Sequence, residues 1–152
     1  MSLGKMSWVD LLAPSGAKFG NKNIAIDTWS QVAADAAIGD AYTKTTITSS
    51  DIYGPTICVS RYLSLRAQIL ITTSGTLVGA LSLQGSNFGG GVAQVWQSLT
   101  AAPIAVSGAT GQYNLKPDAA FDPLNFSAIR LFFDYTSGSG IMYAAGVCKA
   151  YA

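Results

Sequence analysis

RYLSLRAQILITTSGTLVGALSLQG, residues 61–85, alternates in a way that an extended chain explains and a helix does not. Leu63, Leu65, Ala67, Ile69 and Ile71 fall on one face of residues 61–73, and Ser64, Arg66, Gln68 and Thr72 fall on the other. Successive side chains of a β-strand point to opposite sides, so this period of two marks a strand buried on one face. Ser74 and Gly75 supply turn chemistry, and residues 76–85 return with Leu77, Leu81 and Leu83 on one face. The pattern predicts an antiparallel hairpin over residues 61–85.

Toward the C-terminus, residues 127–135 and 141–150 flank the turn Thr136-Ser137-Gly138-Ser139-Gly140. Ile129, Leu131, Phe133 and Tyr135 share a face, answered by Ile141, Tyr143, Ala145 and Val147 across a second expected hairpin. Shorter strands are expected at 43–49, 93–99, 103–106 and 112–115, with Pro-containing residues 116–125 as a crossing loop. Short strands separated by Gly/Ser turns, with no βαβ pattern, give an all-β fold: an antiparallel β-sandwich or jelly roll. Residues 1–41 read differently. Trp8, Phe19 and Trp29 stand among Gly4, Pro14, Gly16 and Gly20 with no steady period, which predicts an extended N-terminal arm. Within it, Ser30–Ile38 is the one candidate short helix, capped by Ser30 and stopped by Gly39. The chain therefore divides into an arm, 1–41, and a β-sandwich domain, 42–152.

Composition agrees and removes much chemistry. Of 152 residues, 49% are hydrophobic and 11% charged, against roughly 25% charged in an ordinary soluble domain. All eight acids are aspartate, and histidine is absent. Without Glu, and with few Lys, Gln or Arg, exposed helix faces have little to be made from. Without His there is no Ser-His-Asp or Cys-His nucleophile, no His-bound zinc and no imidazole base. A net charge of +1 on scattered basic residues gives no field for nucleic acid or an anionic membrane, and no apolar run is long enough to form a membrane-spanning helix. The start lacks the apolar core of a secretory signal, which points to synthesis in a cytoplasm. Low charge with high apolar content favours self-association.

The remaining candidate sites each have an ordinary structural explanation. Asp118 and Asp122 form the one close carboxylate pair in a loop, and turn formation beside Pro117 and Pro123 accounts for both. Asp51 has no acidic neighbour in sequence to help it hold calcium. Gly89-Gly90-Gly91 precedes no helix that could complete a phosphate cradle. Cys58 and Cys148 lie in expected strands without CxxC spacing, which leaves either a disulfide or two buried thiols. Asn87, Phe88 and Trp96 could offer a sugar an amide and aromatic faces, although an alternating-strand Trp96 reads first as core. Arg130 and Phe132 alternate outward on a strand whose Phe133 faces inward. Large groups on both sides of one strand require a cover, either a loop, the arm or a partner. No catalytic residue, metal or cofactor is expected.

TLVGALSLQGSNFGGGVAQVW (76–96) and FSAIRLFFDYTSGSGIMYAAGV (126–147) together resemble small β-sandwich virion proteins of tailed bacteriophages. The shared pattern is a strand ending in LQGSN, a variable loop, a Trp, then an IRL strand and a T-x-G-x-G link to a final strand. Discoidin-like jelly-roll domains are similar in the Ser-Asn, Trp and Arg-Leu positions. The resemblance covers the C-terminal 90 or so residues. Where the pattern commonly has Ser-Asn-Asp, this chain has Ser86-Asn87-Phe88, which removes a carboxylate from that loop. It implies a non-enzymatic virion structural protein, either a capsid decoration or a tail-associated subunit. Such a protein would partner itself and other virion proteins, with Trp8, Phe19, Trp29 and Phe132 as assembly surface. The alternative it leaves is a carbohydrate-binding module for host attachment, using Asn87, Phe88 and Trp96.

Overall fold

The computed structural model of the chain describes residues 6–12, 43–58, 64–72, 76–87, 95–108, 111–121 and 125–149. Their strands are β1 (Met6–Asp10), β2 (Thr45–Ile47), β3 (Ile52–Tyr53), β4 (Ile57–Cys58), β5 (Ser64–Thr72), β6 (Val78–Ser86), β7 (Gln97–Ser98), β8 (Ile104–Ser107), β9 (Gly111–Leu115), β10 (Ala128–Ser137) and β11 (Gly140–Lys149). One 3-10 turn spans Ala119–Phe121. Two antiparallel sheets pack face to face, so the fold is the all-β sandwich expected. Sheet A runs β1-β11-β5-β9, with β2 also on β11; sheet B runs β3-β10-β6-β7, with β4 on β10 and β8 on β6.

β2, β5, β6 and β8 to β11 fall where alternation places them, whereas β1 and β3 were not expected as strands and the pairing partners differ from expectation. β5 pairs with β11 and β9, whereas β6 pairs with β10, β7 and β8, so residues 61–85 form no hairpin. β10 and β11 likewise lie in opposite sheets. The connections β2 to β3, β5 to β6, β8 to β9 and β10 to β11 all cross from one sheet to the other. The physical reason is that alternation specifies which face is apolar, and two consecutive apolar faces can be buried by turning toward each other as well as by lying side by side. Gly138 and Ser139 alone separate β10 from β11. Three extended steps cover about 10 Å, the usual spacing of packed sheets.

These crossings stack at one end of the sandwich. Ile141, Thr72, Ile71 and Gly111 meet there in sheet A, and Ser137, Val78 and Ser107 in sheet B. Hydrogen bonds join neighbouring crossings. Tyr135 Oη shares its proton between the carbonyls of Thr48 (3.0 Å) and Gly138 (2.8 Å). Ser139 N–H donates to Thr76 Oγ1, and Gly108 N–H donates to the Leu77 carbonyl at 2.8 Å.

Between the sheets lies one core, in which Ile69, Leu81, Leu83, Ile129 and Phe133 are fully buried. The expected inward faces of β5, β6 and β10 are the observed ones. That of β11 is not: Met142, Ala144 and Gly146 face inward, while Ile141, Tyr143, Ala145 and Val147 face out. Leu65 and Leu11 already fill the space over Gly146, where an added Cβ would stand 3.0 Å from Leu65 and 3.3 Å from Leu11. Position 146 on the inner side is therefore a glycine. On the outer side, Tyr143 and its cross-strand neighbour Leu70 are also buried, at 3% and 7% exposure.

The arm expectation needs a similar correction at its start. Met6–Asp10 is an edge strand of sheet A, pairing with β11 from Lys149 to Ala145, so Trp8 stands opposite Val147 within the sandwich. Asp10 is fully buried, accepting hydrogen bonds from Leu12 N–H (2.9 Å) and Thr43 N–H (2.7 Å). Its carboxylate thus ties residue 43 to β1. Phe19, Trp29 and the candidate helix at 30–38 lie outside the described residues. Cys58 and Cys148 do stand in strands, one in each sheet.

Gly138 has φ +80°, and a Cβ there would overlap the Thr76 carbonyl. A left-handed non-glycine residue costs roughly 1–2 kcal/mol before any clash. Gly138→Ala is therefore expected to lower unfolding stability by about 2 kcal/mol in urea, whereas Ser137→Ala, at an exposed neighbour, changes it by less than about 0.5 kcal/mol.

Candidate surface site on the outer face of sheet B

Alternation on β10 turns Ile129, Leu131 and Phe133 into the core and sends Arg130, Phe132 and Asp134 to the outer face of sheet B. Pairing brings Gln84 of β6 opposite Arg130, Ser82 opposite Phe132, and Tyr53 of β3 opposite Phe132 on its other flank. The Tyr53 and Phe132 rings stack with centroids 5.0 Å apart. Arg130 carries its guanidinium carbon 4.5 Å from the Tyr53 centroid and 4.2 Å from that of Trp96. Its Nε–H donates to Gln84 Oε1 at 2.6 Å.

Arg130 thus contacts two aromatic rings and is held at Nε by an amide. Each cation–π contact is worth about 0.5–1 kcal/mol when exposed and more when desolvated. Burial pulls the Arg130 pKa below its ordinary value, and the charge interaction with Tyr53 opposes this. An arginine so placed remains a cation in water. The guanidinium makes no ion pair among the described residues. Tyr53 and Val95, at 55% and 64% exposure, are the exposed large hydrophobics of the described chain. Tyr53 lies in the cluster, and Val95 precedes Trp96 in the chain.

The candidates from sequence separate accordingly. Phe132 sits at the centre of this face, half-buried. Trp96 is not core: it is half-buried and meets the outward Arg130, because the strand here shortens to Gln97–Ser98 and its alternation does not extend back to residue 96. Asn87 is exposed and its amide is engaged by the backbone. Its Nδ2–H donates to the Asn125 carbonyl at 3.2 Å and its Oδ1 accepts from Ser127 N–H at 2.8 Å, clamping the chain that enters β10. Phe88 lies outside the described residues. Tyr53 was missed, since a two-residue strand shows no period; its exposed ring beside a Gly-Pro turn was the available signal.

Three of the described aspartates serve the backbone. Asp51 Oδ1 accepts from Tyr135 N–H at 2.8 Å, Asp118 Oδ2 accepts from Ala101 N–H, and Asp10 is engaged as above. Asp122 lies outside the described residues. Among those described, no three His, Cys or Asp side chains gather to hold a metal. A pocket of about 110 Å³ is lined in part by Arg66, Lys116, Pro117 and Phe121, well under the several hundred Å³ of a typical small-molecule site. Compared with known protein families and with curated proteins, the chain finds no match.

Arg130→Ala is expected to cost about 1–2 kcal/mol of stability and to raise acrylamide quenching of tryptophan emission, with no such rise in a Trp96→Phe background. Arg130→Lys does not restore the wild-type quenching, because an ammonium cannot lie flat between two rings.

Proposed function

We propose that this chain is a non-enzymatic structural subunit of a phage or prophage virion, a capsid decoration or tail-associated protein, which acts by packing on copies of itself and on neighbouring virion proteins. The observation that carries the reading is the composition of the outer face of sheet B: Phe132 stacked on Tyr53, and Arg130 over both Tyr53 and Trp96, with Tyr53 and Val95 exposed. Trp, Tyr and Arg are the residues that dominate protein–protein hot spots, and a guanidinium already immobilised by stacking loses little further freedom on binding. The resemblance of residues 76–96 and 126–147 to tailed-phage β-sandwich proteins supplies the virion setting, in a particle built within a bacterial cytoplasm. The absence of histidine and glutamate supports a role without catalysis.

A second reading, carbohydrate binding in host attachment, is favoured by the surface position of the Trp96 and Tyr53 rings. Against it, Arg130 covers a face of each ring, and ring faces are what sugars stack upon.

Static light scattering should show mass rising with concentration, and Tyr53→Ser should weaken the association about tenfold or more without loss of fold. A wild-type monomer at all concentrations contradicts the reading. Tryptophan quenching by a glycan, lost in Trp96→Phe, would favour the second one.

A further inference from the structure

We infer that the outer face of sheet B is self-complementary and packs on the same face of a second copy about a twofold axis crossing β10 at Phe132. The inference rests on the self-association reading and specifies its geometry. Arg130, Phe132 and Asp134 follow one another at alternate positions of β10, so a cation, an aromatic ring and an anion line one face. Alternate residues of a strand are spaced by about 6.7 Å, which puts the Cα atoms of Arg130 and Asp134 about 13 Å apart with that of Phe132 midway.

Both charges are available. Arg130 Nε is engaged by Gln84 and the guanidinium faces by rings, and no hydrogen bond or ion pair engages Nη1 or Nη2 among the described residues. Asp134 is exposed, and unlike Asp10, Asp51 and Asp118 its carboxylate bonds to none of the described residues. Asp51 follows the same end of the face, held at Tyr135 N–H, and adds negative charge there.

Such a +, ring, − line meets its own copy in two ways. With the two β10 strands parallel, Arg130 faces Arg130 and Asp134 faces Asp134, which repels at both ends. With the strands antiparallel, each Arg130 meets the Asp134 of the other copy, and Phe132 meets Phe132 with the Tyr53 rings beside it. A twofold axis lying in the interface at right angles to β10 generates the second arrangement, in which every contact is made twice. The charges thus select one orientation and exclude the other, while the rings supply the buried apolar area. Aligned sheets pack with their strands within about 30° of one another, so the pairing survives the tilt.

Native mass spectrometry of charge variants tests this. Asp134→Lys and Arg130→Glu are each expected to weaken the wild-type dimer at least tenfold, and an equimolar mixture is expected to form the heterodimer. Asp134 is exposed and bonds to none of the described residues, so Asp134→Lys is expected to keep the wild-type melting temperature and decides the matter alone if Arg130→Glu does not fold. A dimer unchanged in Asp134→Lys overturns the twofold geometry while leaving self-association standing. A wild-type chain that is monomeric at every concentration removes both.

Discussion

Leu65, Ile69 and Ile71 of β5 and Leu81 and Leu83 of β6 meet in one core through their side chains, and no backbone ladder joins the two strands. The same relation holds for β10 and β11, and for β8 and β9. In these three pairs chain neighbours are partners across the core, and the long lateral ladders join strands distant in sequence, as with Leu131 opposite Leu83 or Ala144 opposite Ile69. Burying apolar faces against each other satisfies the hydrophobic requirement, and the lateral ladders then satisfy the backbone. The tight crossings follow from this, and with them the need for glycine at position 138, where the chain turns against the Thr76 carbonyl.

Because β10 pairs on both flanks in sheet B, its outward residues sit in the middle of a face and not at an edge. That position brings Gln84 and Tyr53 to Arg130 from the strands on either side, and Trp96 meets it as well. The cluster is made by three segments far apart in sequence, each half-buried or exposed, on a sheet whose inner side is a close-packed core. A rigid platform with an ordered arginine and exposed rings suits recognition by packing better than chemistry. Of the described carboxylates, those of Asp10, Asp51 and Asp118 hold backbone amides.

Much of the fold was legible in the sequence. Alternation located β5, β6, β10 and β11, identified the inward residues of the first three, and established the sandwich. Pairing was not legible, because a period of two sets faces and is silent about whether the next strand lies beside or opposite. The inward face of β11 was misread for a related reason: Tyr143 and Val147 are larger than Ala144 and Gly146, yet Leu65 and Leu11 leave no room for a side chain at position 146. Of the surface site, Phe132 and the outward Arg130 were legible from strand parity. Tyr53 was not, since its strand is two residues long, and Trp96 was assigned by parity to a strand that ends before reaching it.

The central claim is that the chain works through the outer face of sheet B. Hydroxyl-radical footprinting of the wild-type protein, read by mass spectrometry across a concentration series, addresses it most directly. The account predicts that labelling of Tyr53, Phe132 and Trp96 falls as concentration rises, while Ile141 and Val147, on the outer side of sheet A, keep theirs. Association that leaves Tyr53 labelling unchanged, or that protects sheet A instead, would contradict it.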